Sequence, residues 1–323
     1  MHRVVTNFLS RAACRFTLVT AVVVTRAVLA LATDVTSCGQ IIETGDTGVL
    51  QADLDCSSSP EGVLLRPFAT LDLNGYAITG GSGTYAVVRG IGDSEDLELA
   101  EYEKGSFTIV GPGTISGVIL NPNFHSGTYA CVAVNEGYAK LTSATGSIDI
   151  HDCVFGVVGT SEEYSQSRAR ADIDHTVLHD NVLEGVTLRQ LVVDNVTAYG
   201  NGGAGVHAIN KMVATNVVAY DNFAQGVFAT RKLKRTNITA YNNAIGVESF
   251  RKVDVTGLVA TGNTVAGALS LQRLKLTDSN VTGNGVPDQR DVVSVKRPKL
   301  FNTTCGTSVQ QGGSVTWGLC SND

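Results

Sequence analysis

No two cysteines of the 323-residue chain are spaced CxxC, and nowhere does it carry a glycine-rich phosphate loop, a dinucleotide fingerprint opening a helix or a nucleophile elbow. The first absence removes the common zinc frameworks. The others remove nucleotide-dependent and serine-hydrolase chemistry, and no soluble cofactor is implied. Proline is scarce, at six residues, and aromatic side chains make up 6% of the chain, whereas glycine reaches 35. With many valines and threonines alongside, this composition favours many short strands over helices. After residue 32 no run is long and apolar enough to span a membrane.

The N-terminus differs from the rest. Arg3, Arg11 and Arg15 precede an apolar stretch from Phe16 to Ala32 that closes on Ala30-Leu31-Ala32, the small-residue pattern after which signal peptidase cleaves. We read 1–32 as a signal peptide and 33–323 as one exported domain, extracellular or periplasmic. Arg26 interrupts the apolar run, and a central arginine costs a spanning helix about 2.5 to 3.5 kcal/mol; an uncleaved anchor is the alternative. Cys14 leaves with the signal, so Cys38, Cys56, Cys131, Cys153, Cys305 and Cys320 remain. An even count in an exported chain fits disulfides. Sequence proximity pairs Cys38 with Cys56, Cys131 with Cys153, and Cys305 with Cys320, among the fifteen connectivities that six cysteines allow.

Removing the four arginines of residues 1–32 from a chain of net −6 leaves −10. The charge is unevenly spread: residues 33–176 hold twenty acids and six bases, residues 177–304 nine acids and fourteen bases. One face of the second half is therefore suited to polyanions, while export and the negative total argue against nucleic acid.

A period is present. Asn181, Asn201, Asn222, Asn243, Asn263 and Asn284 are separated by 20, 21, 21, 20 and 21 residues. In the same register Gly185, Gly205, Gly226, Gly246 and Gly267 follow the asparagine column, and Asn195, Asn216 and Asn237 precede it. Each repeat reads strand, turn, strand, turn, strand, turn, with small or β-branched residues alternating with polar ones. One coil cannot bury its own apolar side, so coils must stack about 4.8 Å apart and share a core. An aligned asparagine then donates to and accepts from the coils above and below. The expectation is an all-β, single-stranded right-handed parallel β-helix with 20–21 residues per coil. Residues 33–70 would cap it, 71–300 form the coils and 301–323 close it, with disulfides stapling the ends. Sequons at Asn195, Asn237, Asn280 and Asn302 are read as turn chemistry. A capped solenoid of this kind is expected to be a monomer.

The stretch Leu71-Asp72-Leu73-Asn74-Gly75-Tyr76-Ala77-Ile78-Thr79-Gly80, following Cys38-Gly39 and Leu54-Asp55-Cys56, resembles the opening of secreted bacterial proteins with right-handed β-helix repeats, similar in fold to pectate lyases and polygalacturonases. The resemblance covers most of 38–320, including Thr304-Cys305-Gly306 and Trp317-Gly318-Leu319-Cys320. It implies the fold and carries no one activity with it. Members resembling pectate lyases imply acidic calcium ligands and an arginine or lysine that abstracts the proton beside a uronate carboxylate. Arg168, Arg170 and Arg189 match no such motif, and the paired aspartates of a polygalacturonase are missing. If the chain is an enzyme, a lyase is thereby favoured over a glycoside hydrolase.

Three constellations are candidates for function. Breaks in the repeat mark insertions at 93–104, 121–128 and within 159–172, and beside the last lies an ionisable cluster of Asp172, Asp174, His175, His179 and Asp180, with His151 and Asp152 one coil earlier. Asp172, Asp174, His175 and Asp152 are the candidate catalytic set, and the carboxylates can alternatively coordinate calcium through their oxygens. On this reading Asp152 occupies the asparagine column. The alternative takes these as solvated turn residues, His175 replacing a column asparagine. Second, Lys211, Lys232, Lys252 and Arg273 form a basic stripe, extended by Lys234 and Lys275. Third, Tyr199, Tyr220 and Tyr241 precede the column asparagines by two residues, with His179 before them, and should face outward as a sugar platform or a structural ring ladder. Two functions follow: a secreted β-helix that binds an acidic polysaccharide, with β-elimination the reaction open to it, or a non-catalytic extracellular solenoid for adhesion or surface structure.

Overall fold

A computed structural model describes residues 32–91, 106–117, 129–135, 137–160, 169–288, 290–312 and 316–320. The expected signal segment up to residue 31 lies outside them, as do the insertions at 93–104 and 121–128 and the central part of the third, 161–168.

Why these residues coil is visible in one turn of the second half. Lys232–Tyr241 is written as a strand of ten residues, yet it bends at Asn237, where φ is +58°. The same corner is taken by His175, Asn195, Asn216, Gly257 and Asp278, all at φ between +47° and +71°. Asparagine, aspartate and glycine tolerate the left-handed region that other side chains avoid. A second corner follows Tyr241 at Asn242, with Gly200, Asp221 and Gly262 in equivalent places. Each coil thus presents three faces. The first holds 211–215, 232–236 and 252–256, the second 217–220, 238–241 and 258–261, the third 206–208, 227–229 and 247–249.

The described residues form 26 strands, and among them every pairing is parallel except the last, where Thr304–Gln310 meets Thr316–Cys320 antiparallel. This is the expected parallel β-helix. Register confirms the period: Lys211, Lys232, Lys252 and Arg273 are direct partners, coil upon coil. In the first half the coils are longer, Thr108 pairing with Lys140 and Lys140 with Asp172 at 32 residues each. All three disulfides join the cysteines that sequence proximity paired.

The core is a continuous column of small and branched side chains. Ala198, Ala219 and Ala240 are fully buried, as are Val206, Val227 and Val247. Beside it runs the asparagine column, none of whose six members is more than 2% exposed. Asn201 Nδ2 donates to Asn222 Oδ1 at 2.8 Å, and Asn222 Nδ2 to Asn243 Oδ1 at 2.9 Å. The same Asn222 Nδ2 lies within hydrogen-bond distance of Ala198 and Tyr220 carbonyls, and its Oδ1 receives the Asn201 backbone N–H. The ladder ends on the carboxylate of Asp291, which accepts from Asn284 Nδ2 at 3.0 Å and from the N–H groups of Asn284, Gly306 and Thr307. The glycine column is a consequence of this ladder. A Cβ at Gly205 would stand 2.9 Å from both Asn222 Nδ2 and the Gly226 carbonyl oxygen.

One expected placement is corrected. His151 pairs with His179, so the position beneath Asn181 belongs to Cys153, whose backbone N–H donates to Asn181 Oδ1 at 3.2 Å. Asp152 instead takes the left-handed corner, at φ +57°, alongside Asp180 at +52°. Three residues rather than four separate Cys153 from Gly156, and that deletion shifted the alignment by one.

Two measurements test this account. Asn222→Ala removes the ladder's partners at one coil and strands buried donors and acceptors, each worth about 1 to 3 kcal/mol. It should lower the urea midpoint sharply, while Asn216→Gly, at an exposed corner with φ +50°, should barely move it. On the third face His207 stacks on Phe228 at 4.6 Å with its Nε2 shielded and unbonded, and burial lowers its pKa to about 4. The unfolded chain takes up a proton near pH 6.5 that the folded chain refuses until about pH 4. Stability is therefore complete above the unfolded value and falls between the two, by on the order of 3 kcal/mol. His207→Phe should flatten that part of the stability profile.

Candidate functional site

The first face carries the basic stripe. Lys211, Lys232, Lys252 and Arg273 project from equivalent positions, one per coil, about 4.8 Å apart. Two residues on, Lys234, Asp254, Lys275 and Lys299 form a parallel column. The crowding is felt. Lys234, then burial, then Lys252 and Lys211 hold the Lys232 ammonium below lysine's ordinary pKa, with Asp254 opposing. Lys252 Nζ lies 2.8 Å from Asp254 Oδ2. Burial pushes the Asp254 carboxyl up, but its bond from Lys252 and the charges of Lys252, Lys275 and Lys234 outweigh that and hold it low.

Towards the C-terminal end the stripe runs into a cleft of about 540 Å³. Six of its nine lining residues are cations, Lys252, Arg273, Lys275, Lys296, Arg297 and Lys299, and none is an acid. The sequence reading reached the first three and missed the others, because this coil is 24 residues long between Lys275 and Lys299 and falls out of the period. The Lys296-Arg297-Pro298-Lys299 run was the signal that could have found them. A second cavity of about 580 Å³ lies at the third face, lined by Val265, Leu269, Val293 and Val309, and its Asp288 and Arg290 are paired with each other at 3.0 Å. It has no comparable free charge, so the basic cleft is the better candidate.

The second face carries five stacked rings: His151, His179, Tyr199, Tyr220 and Tyr241, with successive centroids 4.8, 4.7, 4.9 and 4.9 Å apart. The tyrosines do face outward. His151 joins them although the 28-residue step to His179 hid it in the sequence. Burial, followed by the Asp149 and Asp180 charges, raises the Tyr199 phenol; burial and the neighbouring phenols raise that of Tyr220.

The acids are dispersed. Asp172 stands on the first face between Lys140 and Val192, hydrogen-bonded to Tyr138, whose phenol is pushed well above its usual range by burial and by that carboxylate. Asp174 Oδ1 lies 2.8 Å from His175 Nδ1 and accepts from Asn195 Nδ2 at 3.1 Å. Burial raises its pKa, but these hydrogen bonds prevail and hold it low. His175 is the corner residue, at φ +48°. Asp152 sits beyond the second face, 2.9 Å from His151 Nδ1. Asp172, Asp174 and His175 thus share one edge, Asp152 does not join them, and Val192 and Val213 stand between Asp172 and Lys234 in the column.

Calcium requires six to eight oxygen ligands. Among the described residues the only set of three metal-ligating side chains is Asp149, His151 and His179, whose ligand atoms lie within 4.8 Å of one another. Two imidazoles and one carboxylate suit a borderline transition metal better than calcium.

A laterally charged parallel β-helix is the class that fold and site define. The chain matches no protein-family model. No curated protein matches it either. Among solved structures it is similar to the A-module of the mannuronan C-5 epimerase AlgE4 of Azotobacter vinelandii, at 18% identity and TM-score 0.48, over 84% of this chain and 76% of that one. It is also similar to the periplasmic alginate epimerase AlgG, at 11% identity and TM-score 0.39, over 80% and 76%, and to the AlgE6 A-module of Azotobacter vinelandii, at 16% and 0.36, over 80% and 81%. The likeness is one of fold.

If the ladder stiffens the second face by ring contact alone, Tyr220→Phe should leave the denaturation midpoint within error. Tyr220→Ala, which breaks two stacked pairs of about 0.2 to 1 kcal/mol each, should lower it measurably. Equal losses in the two variants would assign the effect to the hydroxyl instead.

Proposed function

We propose that this chain binds an acidic polysaccharide lengthwise along its first face. The observation that carries the reading is the in-register row Lys211, Lys232, Lys252 and Arg273 opening into a cleft with six cations and no acid. Stacked like charges repel, by about 1 kcal/mol per contact in water. A polymer that brings one carboxylate to each coil relieves that repulsion. The coil step of about 4.8 Å is close to the length of one sugar residue in an extended chain, so successive uronates meet successive coils. The tyrosines of the adjacent face cover one another's ring faces and turn only edges and hydroxyls outward, so they contribute polar contacts at most. Export as a monomer, with 1–32 removed, places the binding face where such polymers occur.

Binding without turnover is the form of this reading that the acids favour. Asp174 is committed to the corner ladder, Asp172 to Tyr138 and Asp152 to His151. None lines the basic cleft.

The test is titration with polygalacturonate and with a neutral polymer such as dextran, while the ultraviolet absorbance of an unsaturated cleavage product is followed. Wild-type chain should bind the acidic polymer alone, more weakly as salt rises, without producing absorbance. Lys232→Glu with Lys252→Glu should weaken binding tenfold or more. Raising the pH should weaken it too, because the ammonium of Lys232 is held low and bound polymer draws a proton back onto it. Equal binding of dextran, or affinity unmoved by the double reversal, would dismiss the basic face as the site. Absorbance lost in Asp172→Ala with Asp174→Ala would restore a lyase.

A further inference from the structure

The second face holds a group of side chains that polysaccharide binding does not use. His151 and His179 lie one above the other on adjacent coils, and the carboxylate of the next residue holds Nδ1 of each: Asp152 Oδ2 at 2.9 Å and Asp180 Oδ2 at 2.8 Å. Both carboxylates stand on left-handed corners, so the backbone fixes them. A carboxylate at Nδ1 orients the ring, keeps the proton on that side and leaves Nε2 as a lone-pair donor.

Asp149 completes the group. It precedes His151 by two residues on the same outward face, and its Oδ1 lies 3.0 Å from His179 Nε2. That oxygen is shielded from solvent and receives no aligned hydrogen bond from any described group. A nitrogen lone pair and a carboxylate oxygen repel at such a distance. Something positive belongs between them, either a second proton or a cation. A proton would form the aligned hydrogen bond that is missing, whereas a metal ion needs none. The reading in which the imidazoles only extend the ring ladder accounts for His151 and His179 but leaves Asp149 without a reason.

We propose that Asp149, His151 and His179 form a binding site for one divalent transition metal, with Asp152 and Asp180 orienting the two imidazoles. Ligands about 2.1 Å from a common ion stand no more than about 4.2 Å apart. The Asp149–His179 pair, at 3.0 Å, meets that limit, and the other separations, all within 4.8 Å, need close by no more than about 0.6 Å through rotation of partly exposed side chains. Two imidazoles and a carboxylate select zinc, nickel or copper over calcium. Three protein ligands on an outward face leave further positions open to water or to an oxygen of a bound molecule. The site would also tie the coil of His151 to that of His179, and it stands independently of polysaccharide binding.

The experiment is calorimetric titration of the untagged full chain, stripped with chelator, with zinc alone and with calcium alone. Zinc should bind saturably at one ion per chain, with no calcium binding at the same concentrations. Asp149→Asn keeps the side-chain shape and should weaken zinc at least tenfold; Asp152→Asn with Asp180→Asn should weaken it about 10- to 100-fold. His175→Gln, at the distant corner, should change nothing. Cobalt in place of zinc should give visible absorption bands that Asp149→Asn removes, and an unchanged circular dichroism spectrum of that variant separates lost ligation from lost fold. Absence of saturable zinc binding, or zinc binding that survives Asp149→Asn combined with His179→Gln, overturns the proposal.

Discussion

The hydrogen bond from one buried asparagine amide to the next is the constraint on which the rest depends. A β-helix has no helical periodicity to hold its turns; each coil must close at its corners, where backbone groups leave the sheet and would be stranded in the interior. The asparagine column satisfies them. From Asn201 to Asn263 each Nδ2 reaches carbonyls of its own and the preceding coil as well as the Oδ1 of the next, and each Oδ1 takes a backbone N–H. Glycine must follow wherever the amide passes close, and the strands on either side are thereby locked in register.

Register, in turn, makes the surface. Once coils are fixed one above another, any residue type repeated with the period becomes a row. Lysine becomes a stripe, tyrosine and histidine a stack, threonine and valine a quiet flank. The stripe is unfavourable by itself, and Asp254 is the one acid set among its cations to moderate it. The stack is favourable by itself. That difference is why the first face is the stronger candidate for an external ligand, while the second face explains most of itself except where Asp149 meets His179.

Legibility in the sequence followed the same physics. The asparagine, lysine and tyrosine columns could be read because nothing intervenes in coils of 20 and 21 residues, and the three disulfides because their cysteines belong to neighbouring coils. Reading failed where the period breaks. Cys153 replaces asparagine and a residue is missing after it, so Asp152 was placed one position off and His151 was lost from the ring stack. Lys296, Arg297 and Lys299 belong to a lengthened coil, so half of the basic cleft did not show. Lateral grouping of acids could not be read either: columns give height along the axis, and only the corners at His175 and Asp152 show that two faces of the solenoid diverge between them.

The asparagine ladder has a direction as well as a length. From Asn181 to Asn284 every side-chain amide points its N–H₂ end towards the C-terminus, so their dipoles add, positive pole leading, and the sum meets the buried carboxylate of Asp291. This is the side-chain counterpart of an anion at the N-terminus of an α-helix. Such an array is neutral to the insertion or removal of whole coils from its middle, since each unit hands on the same polarity it receives. It is not neutral to loss of its terminus. Whole coils can therefore be added or removed between Asn201 and Asn263 without reversing the ladder, while the anionic stop must stay with whichever coil comes last.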